Sequence, residues 1–78
     1  RLPHFIGGPD QEVAREIGDR RVEGNNLFNL GTTFYQQGEK ERGIGLTKQA
    51  LRIYEEIRSP NAEMAWNTLR LWGAKIYD

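Results

Sequence analysis

A glycine within an apolar helical pattern is the feature that most limits how this chain can fold. Leu27, Leu30 and Phe34 are spaced three and four residues apart, so they fall on one face of an α-helix. Gly31 lies on the same face, where a hydrogen replaces the expected side chain. Because a glycine inside a helix costs roughly 1 kcal/mol relative to alanine, a packing role is the natural explanation. The pattern predicts that a second helix lies close against Gly31.

The predicted secondary structure is entirely helical, because no segment alternates with a period of two residues. Gly18 suits the end of a first helix, and Gly38 suits a tight turn that makes the next two helices antiparallel. Ser59 and Pro60 end the third helix and start the fourth. The expected segments are, in chain order, irregular structure over 1–8, a short helix over 9–17, a hairpin over 20–57 with helices 20–37 and 39–57, and a capping helix over 60–76.

The predicted fold class is therefore all-α, an antiparallel helix-turn-helix hairpin with a short leading helix and a C-terminal capping helix in a single domain over 1–78. Charge differs sharply between the two hairpin helices. Residues 24–37 carry no charged side chain, whereas residues 39–58 are rich in them. Since a solvent-facing helix usually carries charges, we expect the first hairpin helix to meet protein on more than one side. The second is expected to be the outer helix.

Composition excludes several classes of function. The 78 residues suffice for one small domain, and 11 basic residues balance 11 acidic ones. A nucleic-acid or anionic-membrane surface would need a basic excess, so neither partner is expected. No apolar stretch approaches the ~20 residues that span a bilayer, and no signal peptide is recognisable. The absence of cysteine fits a reducing compartment, and we expect a cytoplasmic location for a piece of a longer protein.

No group of residues has the composition of a catalytic or metal site. His4 has neither a second histidine nor a cysteine to share a metal ion with. The acidic near neighbours Glu55 and Glu56 have no histidine or serine partner. Gly43 and Gly45 follow no strand and precede no Gly-Lys-Ser/Thr, so they do not form a phosphate loop. We expect no enzyme activity and no cofactor.

The hairpin residues resemble the tetratricopeptide repeat (TPR) family, whose helix-turn-helix units stack into a solenoid. The matching positions are Leu27, Leu30, Gly31 and Phe34 in the first helix, Gly38 at the turn, Ala50 late in the second helix, and Pro60 as terminator. Gly43 and Thr47 replace the alanine and the aromatic residue of the second helix. These departures imply a thinner and weaker interface there.

The spacing resembles a longer variant of the repeat. Pro60 lies about six residues beyond its place in a 34-residue unit. The segment 15–19 is similar to 55–59, forty positions on, and 14–21 resembles the joint between such repeats. The last predicted helix resembles the capping helix that closes an array. The resemblance therefore places the chain at the C-terminal part of an array of ~40-residue repeats, of a kind often attached to signalling NTPases.

The resemblance implies a protein–protein interaction module or scaffold that holds a peptide or a helix in a groove. By register, the groove residues are Asn25, Phe28, Asn29, Thr32, Tyr35 and Gln36. Their spacing by itself traces a stripe beside the predicted core stripe, and amide side chains suit a peptide backbone. Asn29 is the strongest single candidate. A set of groove lysines and arginines is missing, so a C-terminal carboxylate is not the expected ligand.

The sequence also allows two alternative roles. The segment can be a structural cap or a dimerisation element, or it can be a sensor domain of a larger signalling NTPase. About three stacked repeats are usually needed for independent stability, so we expect this chain to self-associate, most simply as a homodimer. Trp66 and Trp72 point about 120° apart around the last helix, which makes them candidates for the oligomer contact.

Overall fold

Three helices make up the computed structural model, which describes residues 9–75 and their side chains from residue 15. They are α1 (Pro9–Gln36), α2 (Lys40–Glu56) and α3 (Asn61–Leu71). Residues 9–75 contain no strand, and the all-α prediction is confirmed. The predicted irregular segment 1–8, with His4, lies outside the described residues.

Helix α1 is continuous over 28 residues, so the predicted leading helix 9–17 and its end at Gly18 are wrong. A methyl group placed on Gly18 would find no heavy atom within 4 Å, so no neighbouring element contacts this position. Glycine in a helix costs only about 1 kcal/mol, and the backbone hydrogen bonds of an uninterrupted helix outweigh that cost where no other contact favours a turn.

The turn between α1 and α2 is centred on Gly38, as predicted. Gly38 has a φ of 96°, a backbone conformation that side chains with a Cβ atom disfavour. The N–H of Glu39 donates to the carbonyl of Phe34 at 2.9 Å, and that of Gly38 donates to the carbonyl of Tyr35 at 3.1 Å. This pair of bonds is the Schellman motif, which satisfies the last carbonyls of α1. The short turn folds α2 back along α1.

The turn between α2 and α3 uses the same motif without a glycine. Arg58 has a φ of 55°, and the N–H of Ser59 donates to the carbonyl of Tyr54 at 2.8 Å. The Ser59 hydroxyl then accepts the N–H of Asn61 at 3.1 Å, which supports the predicted capping role of Ser59. Helix α3 ends at Leu71, five residues before the predicted end at 76, with Gly73 at a φ of 73° behind it.

Helix α2 supplies most of the core and lies between the other two helices. The buried residues it contributes are Gly43, Thr47, Ala50, Leu51, Ile53 and Tyr54. Helix α3 adds Ala65 and Leu69. The prediction that this charged helix is the outer one is therefore wrong. Its charges occupy the remaining solvent-facing strip, whereas one face of the uncharged part of α1 packs on α2 and much of the rest is exposed.

Glycines allow α1 and α2 to approach to backbone contact, as predicted for Gly31. A methyl group on Gly31 would lie 2.8 Å from the carbonyl oxygen of Gly43 and 3.0 Å from the backbone nitrogen of Thr47. On Gly43 it would lie 2.5 Å from the carbonyl oxygen of Gly31. Further along α1, a methyl on Gly24 would lie 3.0 Å from Cε1 of Tyr54. The buried line of α1 therefore runs through Gly24 and Gly31.

That line displaces one residue of the predicted core stripe. Leu27 and Phe34 are half-buried, but 48% of Leu30 is exposed. Phe28, on the other flank of the glycine line, packs against the core instead. Because the glycines and not the leucines mark the centre of the contact, the buried face is rotated away from Leu30 and toward Phe28.

Candidate partner-binding surface

The six candidate residues lie along one flank of the helix face that packs on α2. We call this set the α1 flank; its members are Asn25, Phe28, Asn29, Thr32, Tyr35 and Gln36. Steps of three and four residues keep them on one side of the helix, next to the buried line through Gly24 and Gly31. Across the width of the helix, the α1 flank therefore extends from half-buried residues next to the core to residues that are exposed to solvent.

Three members of the α1 flank make contacts within the chain itself. The hydroxyl of Tyr54 donates to Oδ1 of Asn25 at 2.5 Å, which links α1 to α2. Phe28 is half-buried against the core. Tyr35 stacks on Trp72, with ring centroids 3.9 Å apart and planes inclined by 5°, which ties α1 to the residue after α3. These three residues position the flank.

The other three members are Asn29, Thr32 and Gln36, and they leave hydrogen-bonding groups available. The backbone carbonyl of Asn29 accepts hydrogen bonds from the hydroxyls of Thr32 at 3.0 Å and Thr33 at 2.8 Å. Within the part of the chain that the structure describes, the side-chain amides of Asn29 and Gln36 have no hydrogen-bond partner, and both residues are exposed. Each amide offers two donors and an acceptor.

The α1 flank is electrically neutral along its whole length. Residues 24–37 contain no charged side chain. The Lys40 ammonium lies near the C-terminal end of the α1 flank, 5.9 Å from the centroid of the Tyr35 ring. A neutral surface with amides and aromatic rings suits an uncharged polar ligand, since it offers no counter-ion for a charged group.

Tyr54 and Gly24 are the positions that sequence reasoning missed. Tyr54 is the largest fully buried side chain, and burial raises its pKa, so the phenol stays protonated and can donate to Asn25. Gly24 provides the space beside its ring. The spacing of these residues in the sequence could have identified them as contact positions. Gly24 precedes Gly31 by seven residues, and Tyr54 follows Thr47 by seven, so each pair shares a helix face.

Trp66 in α3 and Trp72, the residue after α3, are both half-buried against the core of their own chain. Trp72 stacks on Tyr35, and the guanidinium carbon of Arg70 lies 5.4 Å from the centroid of the Trp66 ring. Each ring thus has an intramolecular neighbour, which leaves only part of it for the oligomer contact suggested by the sequence.

In residues 9–75, none of the helices combines the length and apolar character needed to cross a bilayer. Comparison of the chain with protein-family models, with curated proteins and with solved structures returned no match.

Proposed function

We propose that this chain is a protein–protein interaction module, similar to a TPR unit, that holds an extended segment of a partner against the α1 flank. The observation that supports it best is the pair of exposed amides, Asn29 and Gln36, beside the stacked rings of Tyr35 and Trp72. Amides hold a peptide backbone, and a ring edge offers an apolar contact to a side chain.

The spacing of the two amides fits an extended peptide. Asn29 and Gln36 are seven residues apart, which is about 10.5 Å along a helix. An extended chain advances about 3.3 Å per residue, so the same distance covers roughly three residues of the ligand. Each amide would therefore bond to a different peptide group, with one ligand side chain pointing toward Tyr35. The neutral flank favours a ligand without charges in this stretch.

The same proposal assigns no catalytic step and no cofactor to the chain. Among the described residues, the α1 flank presents amides, two hydroxyls and aromatic rings. General acid–base chemistry needs titratable groups with matched pKa values at the reacting atoms, and no such pair lies on the flank. The flank suits recognition.

A selection from a library of displayed, uncharged decapeptides tests the proposal. Selected peptides are synthesised and their affinity is measured by calorimetry. We expect Asn29→Ala and Gln36→Ala each to weaken binding roughly five- to a hundredfold, the loss of one peptide hydrogen bond. Gln49→Ala is the matched control, because Gln49 is an exposed amide on α2.

Two results would contradict the proposal. One is a library that yields no binder. The other is a binder whose affinity is unchanged by Asn29→Ala and Gln36→Ala but falls with Gln49→Ala, which would place the working surface on α2. Far-UV circular dichroism of each variant verifies that the fold is intact.

Exposed apolar side chains favour self-association as a second candidate role. Leu30 on α1 and Met64 and Leu71 on α3 are large apolar residues that face solvent. Covering them in a dimer or as the closing unit of an array would remove apolar surface from water. Light scattering over a range of concentrations tests this role, and a monomer mass at every concentration would refute it.

A further inference from the structure

The outer face of α3 carries an apolar stripe that is exposed to solvent. Met64 is 44% exposed and Leu71 is 84% exposed. The two residues are seven positions apart, which places their side chains on one side of the helix, about 10.5 Å apart along its axis. Thr68 lies between them on the same side of the helix, and its hydroxyl donates to the Met64 backbone carbonyl at 2.9 Å. We call Met64, Thr68 and Leu71 the α3 stripe.

A pair of opposite charges borders one edge of this stripe. Glu63 and Arg70 each precede one of the apolar residues, so they share the same flank of α3, seven residues apart. Both are exposed. Glu63 forms no ion pair with another residue in the described range 15–75. The guanidinium of Arg70 is held over the Trp66 ring, which limits its freedom on the helix surface.

The order of these charges matches a second copy of the same helix running in the opposite direction. In an antiparallel helix pair, the flank that precedes the apolar positions faces its own equivalent on the partner. Met64 then lies opposite Leu71 of the other copy, and Glu63 lies near the other copy's Arg70. The two-fold axis repeats both contacts. In a parallel pair, Glu63 and Arg70 would instead face the opposite edge of the other copy's stripe, next to its uncharged Thr68. No ion pair would then form.

We propose that α3 is a docking surface for a second copy of this chain, packed antiparallel through the α3 stripe with two Glu63–Arg70 ion pairs. The inference rests on self-association, the second candidate role above, and is independent of peptide binding by the α1 flank. Helix α3 has 11 residues and is about 16 Å long, so its contact is smaller than the ~800 Å² per partner of a stable complex. The dimer is therefore weak, and salt weakens it further.

Charge-reversal variants test the Glu63–Arg70 ion pairs, and sedimentation equilibrium measures how strongly each variant associates. Glu63→Arg places four positive charges at the interface, and Arg70→Glu places four negative ones, so each variant alone should associate at least about tenfold more weakly. An equimolar mixture of the two should associate as well as the unmodified chain, because every pair across the axis is again opposite in sign. The double variant Glu63→Arg/Arg70→Glu should behave like the mixture.

Replacement of exposed apolar residues by glutamine provides the second measurement. Leu71→Gln should weaken the dimer, whereas Val22→Gln, at an exposed apolar site on α1, should leave it unchanged. All of these side chains are exposed, so the fold should persist, and far-UV circular dichroism verifies it.

Three results would overturn the proposal, and they separate it from the roles described above. A chain that stays monomeric up to about 1 mM removes both the α3 contact and self-association. A dimer that is insensitive to Leu71→Gln and to the charge reversals lies on another surface, while self-association stands. Single variants that are weakened but not restored by mixing exclude the antiparallel ion pairs. Peptide binding through Asn29 is measured separately and is unaffected by any of these outcomes.

Discussion

Replacing Gly31 by alanine adds one methyl group at the point where α1 and α2 approach most closely. That methyl would contact Oγ1 of Thr47, and it would lie 2.8 Å from the carbonyl oxygen of Gly43 and 3.0 Å from the backbone nitrogen of Thr47. Two of these three atoms belong to the backbone, so no side-chain rotation removes the overlap. The helices must separate, and the core on both sides of the contact loses packing.

The expected loss follows from two opposing effects. Overpacking typically costs about 1–3 kcal/mol, and contact with backbone atoms favours the upper end. The better helix propensity of alanine returns about 1 kcal/mol. The net destabilisation of Gly31→Ala is therefore about 2 kcal/mol. Since 1 kcal/mol shifts the Tm of a domain this small by roughly 4–8 °C, the Tm should fall by about 8–16 °C.

The chain contains its own controls for this substitution. A methyl on Gly18, in the same helix, or on Gly45, in α2, meets no heavy atom within 4 Å. Gly18→Ala and Gly45→Ala should each raise stability by up to about 1 kcal/mol through helix propensity alone. Gly43→Ala should be at least as harmful as Gly31→Ala, because its methyl would lie 2.5 Å from one backbone oxygen and 2.7 Å from the Tyr35 nitrogen.

Thermal and urea unfolding, followed by far-UV circular dichroism, measure all four variants at one protein concentration, because association would otherwise shift the Tm. The informative quantity is the sign of the change within each helix. An increase in Tm for Gly31→Ala, or equal shifts for Gly31→Ala and Gly18→Ala, would show that α1 and α2 are not in backbone contact. The register of the hairpin would then be wrong, and with it the position of the α1 flank.

Three further predictions concern single contacts, each measured by urea unfolding. Leu30→Ala should cost about 1 kcal/mol or less because Leu30 is half-exposed, whereas Leu51→Ala, at 3% exposure, should cost about 2–5 kcal/mol; equal losses would contradict the exposure of Leu30. Burial raises the Tyr54 pKa, so the neutral phenol stabilises the fold below pH ~10 and the free energy of unfolding should fall as pH rises above that value. Tyr54→Phe should reduce this fall, whereas Asn25→Ala, which keeps the phenol, should retain it. The Thr47 hydroxyl is buried without a partner in the described chain, so Thr47→Val should raise stability by about 1–2 kcal/mol, and a loss would reveal a bond to that hydroxyl.

The sequence predicted those parts of the fold that depend on local chemistry. Gly38, Ser59 and Pro60 mark turns through backbone conformations or capping bonds that their own side chains determine, and both turns form where they were expected. The close approach at Gly31 was also predictable, since few other reasons explain a glycine in an apolar helical stripe.

The parts that failed depend on which surfaces meet in three dimensions. Charge content suggested that α2 is the outer helix, but a helix can bury a wide face and still carry its charges on the remaining strip. The spacing of apolar residues predicts that Leu30 lies in the core, whereas Gly24 and Gly31 define the contact line in the structure. For the candidate surface, the sequence placed six residues on one flank. It could not distinguish Asn25, which accepts a hydrogen bond from Tyr54, and Tyr35, which stacks on Trp72, from Asn29 and Gln36, whose amides have no partner in the described chain.

The similar segments 15–19 and 55–59 show how contacts decide between two local structures. At 55–59 the helix ends: Arg58 adopts a positive φ, Ser59 bonds back to Tyr54, and the proline that follows disfavours a further helical residue before it. The turn also brings α3 against Leu51, which compensates for the conformational cost at Arg58. At 15–19 the equivalent position is Gly18, which tolerates a positive φ better than arginine does. The helix nevertheless continues, because no proline follows and no described element packs against that position.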